Sequence, residues 1–149
     1  MLLVDCDMRS PQVAERLGLG KVRGLSNYLA GQCKLRDLFR ECSVHGQSRF
    51  HVLAAGDLPP NPAELLSSAA MSGMIRAMGK VFDDIILELP GTGEGSDAMA
   101  VSELAHGYLL VVEYGGCSRA ALETSLERME SVKANLIGII YHQRPKKRR

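Results

Sequence analysis

Five aliphatic runs recur along this chain, and they constrain its fold more than any other feature. They are Leu2–Asp5, Phe50–Ala55, Asp84–Leu89, Tyr108–Tyr114 and Asn135–Tyr141. Their apolar residues are continuous rather than alternating, as expected for strands covered on both faces. Helix signals fall between them. Ser10-Pro11 offers a cap and a first-position proline, with Val13 and Leu17 on one face before Gly18. Ser26 can cap a short helix through Leu29, closed by Gly31, and Leu35, Leu38 and Phe39 mark another. Asn61-Pro62-Ala63-Glu64 is a capping-box arrangement that launches a helix to about Lys80. Ser118 to Lys133 carries the stripe Ala121, Leu122, Leu126, Met129 and Val132 against Glu123, Glu127, Arg128 and Glu130. Strands alternating with helices predict an α/β fold: a mostly parallel sheet with helices on both faces.

The 149 residues are one domain's worth of chain, expected as a folded unit over 1–143 and a basic tail over 144–149. A formal net charge of +1 gives no global attraction to nucleic acid or membrane, so no specific nucleic-acid partner is expected. The tail Arg144-Pro145-Lys146-Lys147-Arg148-Arg149 reads first as a solvated terminus. Its alternative use is weak contact with anionic lipid through Lys146, Lys147, Arg148 and Arg149, worth about 1 kcal/mol per basic residue near the surface. The four cysteines form no C-x-x-C pair and the four histidines no H-E-x-x-H motif, which disfavours a disulfide framework and a zinc site. With no signal peptide and no apolar run of spanning length, a cytoplasmic protein is expected.

Chemistry concentrates where strands end. Leu2-Leu3-Val4-Asp5-Cys6-Asp7-Met8-Arg9 is an aliphatic strand running into two acids. Alternation would put Asp5 and Asp7 on one side of an extended backbone, both facing one cation. The acids could equally cap the following turn, and Arg9 could be a surface ion pair. Asp83-Asp84-Ile85-Ile86-Leu87-Glu88-Leu89-Pro90 is a second strand that ends in an acid, Glu88. Gly56-Asp57-Leu58-Pro59-Pro60-Asn61-Pro62-Ala63-Glu64-Leu65-Leu66-Ser67-Ser68 places three prolines before a capped helix, a rigid connection.

Taken together, these blocks resemble the kinase domain of bacterial tyrosine kinases, the autokinases that regulate capsular and extracellular polysaccharide synthesis and export. Leu2–Arg9 is similar to that family's D-x-D-x-R strand, Gly56–Ser68 to its G-x-x-P-P-N-P-x-E-L-L-S-S segment, and Ile86–Gly91 to its Walker B strand. Ser96-Asp97-Ala98 and the stretch from Gly24 to Gly31 also match. The resemblance implies a P-loop NTPase-like fold related to MinD and ParA, with ATP and magnesium as cofactors. It implies that Asp5 activates the attacking tyrosine hydroxyl, and that Asp5, Asp7 and Glu88 serve the metal. Arg9 would lie near the phosphates or pair with an acid. A membrane-bound polysaccharide co-polymerase or activator, or self-association, is the implied partner, with a location at the inner face of the cell membrane.

The chain departs from the family pattern in several places. The phosphate-binding G-x-x-x-x-G-K-[ST] loop, which the family carries upstream of the D-x-D strand, is absent. The glycine-rich run Gly91 to Ser96 has no lysine and carries Glu94. Glu88 stands where the family has Asp, moving the carboxylate by about 1.5 Å. His142 stands where relatives often carry Asn, and no tyrosine cluster follows Tyr141. An arginine-containing oligomerisation helix would also lie upstream. The expectation is therefore a tyrosine-kinase-like domain without the P-loop strand, inactive as an isolated chain, its amino-terminal third lost or carried on another polypeptide. A diverged, non-catalytic adaptor and a MinD- or ParA-type ATPase are the alternatives.

Overall fold

The computed structural model describes residues 1–44, 46, 48–91 and 97–143. The glycine-rich run beyond Gly91 and the basic tail lie outside the described residues. Among the described residues the strands are β1 (Leu2–Asp5), β2 (Arg40–Val44), β3 (Ser48–Leu53), β4 (Ile85–Glu88), β5 (Tyr108–Glu113) and β6 (Leu136–His142). All five aliphatic runs are strands. β2 was not anticipated, because its Arg-Glu-Cys-Ser-Val sequence carries no aliphatic run. It pairs antiparallel with β3, Cys42 facing Phe50, and forms an edge.

The parallel sheet is present but divided. One sheet has the order β2-β3-β1-β4, with β1 parallel to both β3 and β4, and β5 and β6 form a separate parallel pair. β1 is central, so Leu2 and Val4 are fully buried. Around them lie Met8, Leu25, Leu53, Leu66, Met71, Met74 and Val101.

Among the described residues the helices are α1 (Val13–Arg16), α2 (Leu25–Leu29), α3 (Pro62–Leu66), α4 (Ala69–Met78), α5 (Asp97–Ala100) and α6 (Arg119–Ser131). Several differ from the sequence reading at their starts. Gln12, not Ser10, precedes α1, and makes no side-chain cap. Gly24 precedes α2, and Ser26 lies inside it, because the Asn27 side chain accepts a hydrogen bond from the Gly24 N–H. The segment around Leu35 is a single 3-10 turn, Leu35–Asp37.

The long helix expected from Pro62 to Lys80 is two helices broken at Ser67-Ser68. Ser68 Oγ donates to the Leu65 carbonyl at 2.6 Å and accepts from Met71 N–H at 3.2 Å, while Ser67 Oγ donates to the Ala63 carbonyl at 2.9 Å. Serine hydroxyls offer the backbone local partners outside the helical ladder, and here they end one helix and cap the next. Asn61 makes no backbone cap either. Its Nδ2 donates to Glu64 Oε2 at 3.3 Å, so the anticipated box is a side-chain pair. Ser118 does cap α6, accepting from Ala121 N–H. Along the stripe of α6 only Met129 is fully buried, and Ala121 is exposed.

Candidate functional site at the carboxyl ends of β1 and β4

β1 and β4 run side by side in the same direction, and their register sets Asp5 opposite Glu88. Cys6 N–H continues the ladder to the Glu88 carbonyl at 2.8 Å. Two acids of adjacent strands therefore leave the sheet together at its carboxyl edge, where open α/β sheets bind ligands.

Asp5 is fully buried. Its Oδ1 accepts from Asp7 N–H at 3.2 Å, and its Oδ2 has no hydrogen-bond donor. Burial pushes the Asp5 carboxyl up to about 6 from its ordinary 3.8, and the Asp7 charge adds to the rise. Glu88 is raised to about 7 from 4.5, by burial first and then by the charges of Asp5 and Asp7. Two carboxyls facing one another in a desolvated place cannot both ionise cheaply. The pair titrates as a unit near neutrality. Cys6, buried beside them, has its thiol pushed well up by burial and by both acids, so it stays an inert thiol.

Asp7 departs from the alternation argument. The strand ends at Asp5, because the Asp5 carboxylate draws back the Asp7 N–H and the chain turns. Asp7 Oδ1 accepts from Arg9 N–H at 3.0 Å and Ser10 N–H at 2.9 Å, an Asx-type turn. Asp7 thus holds the turn beside the carboxyl pair. Arg9 turns to an acid: its Nε and Nη2 donate to Asp97 Oδ2 and Oδ1 at 2.6 and 3.0 Å. Asp97 is completely buried at the start of α5, so this fork ties the turn after β1 to the segment after β4.

A second polar cluster braces the site from the β3 side. Leu25 and Ser26 N–H donate to the Ala54 and Ala55 carbonyls at 2.7 and 2.8 Å. Ser26 Oγ donates to the Asp57 carbonyl at 2.6 Å. Asn27 Nδ2 donates to Asp57 Oδ2 and Gln32 Oε1, both at 2.8 Å. The two chains approach so closely that a Cβ on Gly56, whose φ is +89°, would lie 2.5 Å from Asn27 Oδ1. Ser26, Asn27 and Asp57 escaped the sequence reading as partners. They lie some thirty positions apart in sequence, and nothing in either segment names the other.

A cleft of about 590 Å³ opens next to Asp5. The Pro11–Val22 segment lines it on one side, including Lys21, and Ala54, Ala55 and Gly56 on the other.

A divalent cation suits part of this arrangement. The orphaned Asp5 Oδ2 and the adjoining Glu88 carboxyl are hard oxygen donors, and the Arg16 charge offsets Glu88 only in part. Among the described residues no group of three or more His, Cys, Asp or Glu side chains could hold a metal alone. Magnesium commonly takes one or two carboxylates and completes its shell with water and phosphate oxygens. The described residues thus fit a magnesium ion in part. They offer no lysine and glycine loop to cradle a triphosphate. No helix among the described residues is long and apolar enough to cross a membrane.

No family model matches the chain. It is 34% identical over 143 residues to the tyrosine-protein kinase CpsD of Streptococcus agalactiae, covering 95% of this chain and 60% of that protein. It is 31% identical over 140 residues to the tyrosine-protein kinase wzc of Salmonella typhimurium, 94% of this chain and 19% of the relative. The chain therefore spans less than two thirds of the length of these relatives. Its fold is similar to the kinase domain of the Escherichia coli tyrosine kinase ETK, with a TM-score of 0.88 and 28% identity over 99% of this chain and 57% of that one. The VpsO kinase domain gives 0.87 and 26% over 97% and 70%. The chain is thus a homologue of bacterial tyrosine kinases along nearly its whole length, with the P-loop NTPase-like α/β fold of their kinase domains.

Proposed function

We propose that this chain is the metal-binding part of a protein-tyrosine kinase domain that serves capsular or extracellular polysaccharide synthesis. One observation carries the reading: the buried Asp5 and the half-buried Glu88 lie side by side at the sheet's carboxyl edge, and no donor reaches Asp5 Oδ2. Magnesium, when bound with ATP, supplies charge neutralisation at the transferred phosphoryl group. The residues of the chain do the rest. Asp5 and Glu88 hold the cation, and Asp7 shapes the turn that aims Asp5 and adds negative charge. In a domain that also carries the nucleotide-binding loop, Asp5 would be the group placed to accept the proton of an acceptor tyrosine hydroxyl. Arg9, through Asp97, keeps the turn after β1 in register with the segment after β4. The cleft lined by Lys21 and Gly56 is the route by which an acceptor side chain reaches Asp5.

Three further parts extend this reading. The unit over 1–143 works as a partial kinase domain with 144–149 as a basic tail. Its location is the cytoplasmic face of the membrane. Its partner is a membrane-bound polysaccharide co-polymerase or activator, or a further copy of itself.

Manganese titration tests the metal site, read by water-proton relaxation on the 149-residue chain at pH 8. Binding that Asp5→Asn and Glu88→Gln each abolish is expected, while calorimetry with ATP and magnesium on the chain alone is expected to show no micromolar binding. Manganese binding unchanged by both substitutions would end the reading. Restoring a P-loop segment should recover ATP binding more than Glu88→Asp does.

A further inference from the structure

Lys21 owes its place on the cleft beside Asp5 to a segment held at both ends. After α1, Gly18 at a φ of +69° lets the Gly18 and Leu19 N–H groups donate back to the Glu15 and Ala14 carbonyls, at 3.0 and 2.9 Å. Gly20 turns the chain again at a φ of +66°. A Cβ on either glycine would meet nothing within 4 Å, so each supplies a backbone angle rather than room. At the other end, Leu25 and Ser26 fasten the segment to the Ala54 and Ala55 carbonyls. Lys21 stands between these anchors.

A second recess of about 450 Å³ adjoins the cleft and shares Pro11, Lys21 and Gly56 with it. Both volumes lie in the range of ligand-binding clefts. The charges divide along this groove. Asp5 and Glu15 line only the first part, and Arg9 and Asp57 only the second. Arg9 is engaged by Asp97, and Asp57 Oδ2 by Asn27. Lys21 is exposed, and among the described residues no carboxylate lies within ion-pair distance of its ammonium. Arg9 and Asp57 cancel, so Lys21 leaves the second part positive while the first is acidic.

We infer that Lys21 selects the acceptor: the groove takes a tyrosine peptide with a neighbouring acidic residue, whose carboxylate pairs with the Lys21 ammonium. The placing of the tyrosine at Asp5 rests on the function proposed above; the acidic peptide and the role of Lys21 go beyond it. The acid lies in the second part of the groove, because Asp5 and Glu15 repel it from the first. There Leu58, 65% exposed beside Pro59 and Pro60, offers an apolar contact to a further residue. A free phosphate is disfavoured, since its whole charge would face Asp5, Glu15 and Asp57 with one exposed ammonium to offset them. A peptide instead sets a neutral hydroxyl at the acidic end and its charge at the basic one.

Amide shifts of the isotope-labelled 149-residue chain, titrated with blocked tripeptides at millimolar concentration, test this. Acetyl-Glu-Tyr-Glu-amide should shift Gly18, Gly20, Lys21 and Gly56, and should bind about threefold more tightly than acetyl-Lys-Tyr-Lys-amide, the size of an exposed ion pair. Lys21→Gln should erase that preference, Lys21→Arg should keep it, and Lys21→Glu should make the lysine peptide the tighter ligand. Lys21 is exposed, so these variants keep the fold, which unchanged shifts away from the groove verify. Equal binding of the two peptides, a preference untouched by Lys21→Glu, or equal shifts from inorganic phosphate would each overturn the inference. Failure of the kinase-site reading looks different. Acetyl-Glu-Phe-Glu-amide binding as well as the tyrosine peptide, with the Lys21 dependence intact, would keep Lys21 as the selecting residue and remove Asp5 as the group that meets the hydroxyl.

Discussion

The sharpest consequence of the β1–β4 geometry is that the native protein should become less stable as pH rises from about 4 to about 7, and that Asp5→Asn should remove most of this dependence. In the unfolded chain Asp5 loses its proton near 3.8, whereas in the folded one it holds it to about 6. Between those values the folded state binds more protons, so stability falls with increasing pH. The full displacement, about 2.2 pH units, corresponds to about 3 kcal/mol. Asp5 is fully buried, so water screens little of it. Just under half of it, about 1.4 kcal/mol, is lost between pH 5 and pH 8, and the rest below pH 5. Glu88, raised to about 7, acts in the same direction, although their mutual repulsion must be counted only once.

Asp5→Asn removes one charge and leaves an amide that can donate to Glu88. At pH 8 it should stabilise the chain by about 1–3 kcal/mol, or about 2–9 °C in Tm for a chain of this length. At pH 5, where Asp5 is already protonated, it should be nearly neutral. Urea denaturation followed by circular dichroism at both pH values, with and without millimolar magnesium, reads this directly. Magnesium should recover part of the loss at pH 8 in the wild type and none in Asp5→Asn. A wild type equally stable at pH 5 and pH 8, or a destabilised Asp5→Asn at pH 8, would refute the paired-carboxyl account.

Other perturbations follow from the bracing contacts. Arg9→Ala strands the buried Asp97 carboxylate. It should cost about 2 kcal/mol after allowance for the partly exposed guanidinium, and Arg9→Met with Asp97→Asn should recover most of that in a thermal melt. Gly24→Ala would push a Cβ into the Ala54 carbonyl oxygen and to 2.5 Å from Gly56 N, at a cost of about 3 kcal/mol measured by urea denaturation. Ser68→Ala removes the cap of α4 and should cost about 1 kcal/mol, with a matching loss of helical signal on warming.

How far the sequence could be read depended on the range of each interaction. β1, β3, β4, β5 and β6 were legible because aliphatic continuity is a local property of each strand. β2 was not, because an antiparallel edge strand needs only a partner and Cys42 has one in Phe50. The helix break at Ser67-Ser68 was hidden by apolar periodicity that continues across it, while two hydroxyls decide the backbone. The site divides the same way. Asp5, Asp7, Arg9 and Glu88 announced themselves as acids and a base at strand ends. Their pairing did not, since only the register of β1 against β4 sets Asp5 opposite Glu88, and only the fold brings Arg9 to Asp97.

The divided sheet extends this point from residues to whole elements. β4 and β5 have the composition of interior strands and the exposure of edge strands. Composition reflects the full set of neighbours a strand evolved against, and exposure reflects those present in these 149 residues. At Ile86, and at the alternate positions Leu109 and Val111, the two disagree: aliphatic side chains that read as covered in the sequence stand about half exposed. A local pattern therefore identifies a strand, and only the sheet's order decides how much of each face is covered.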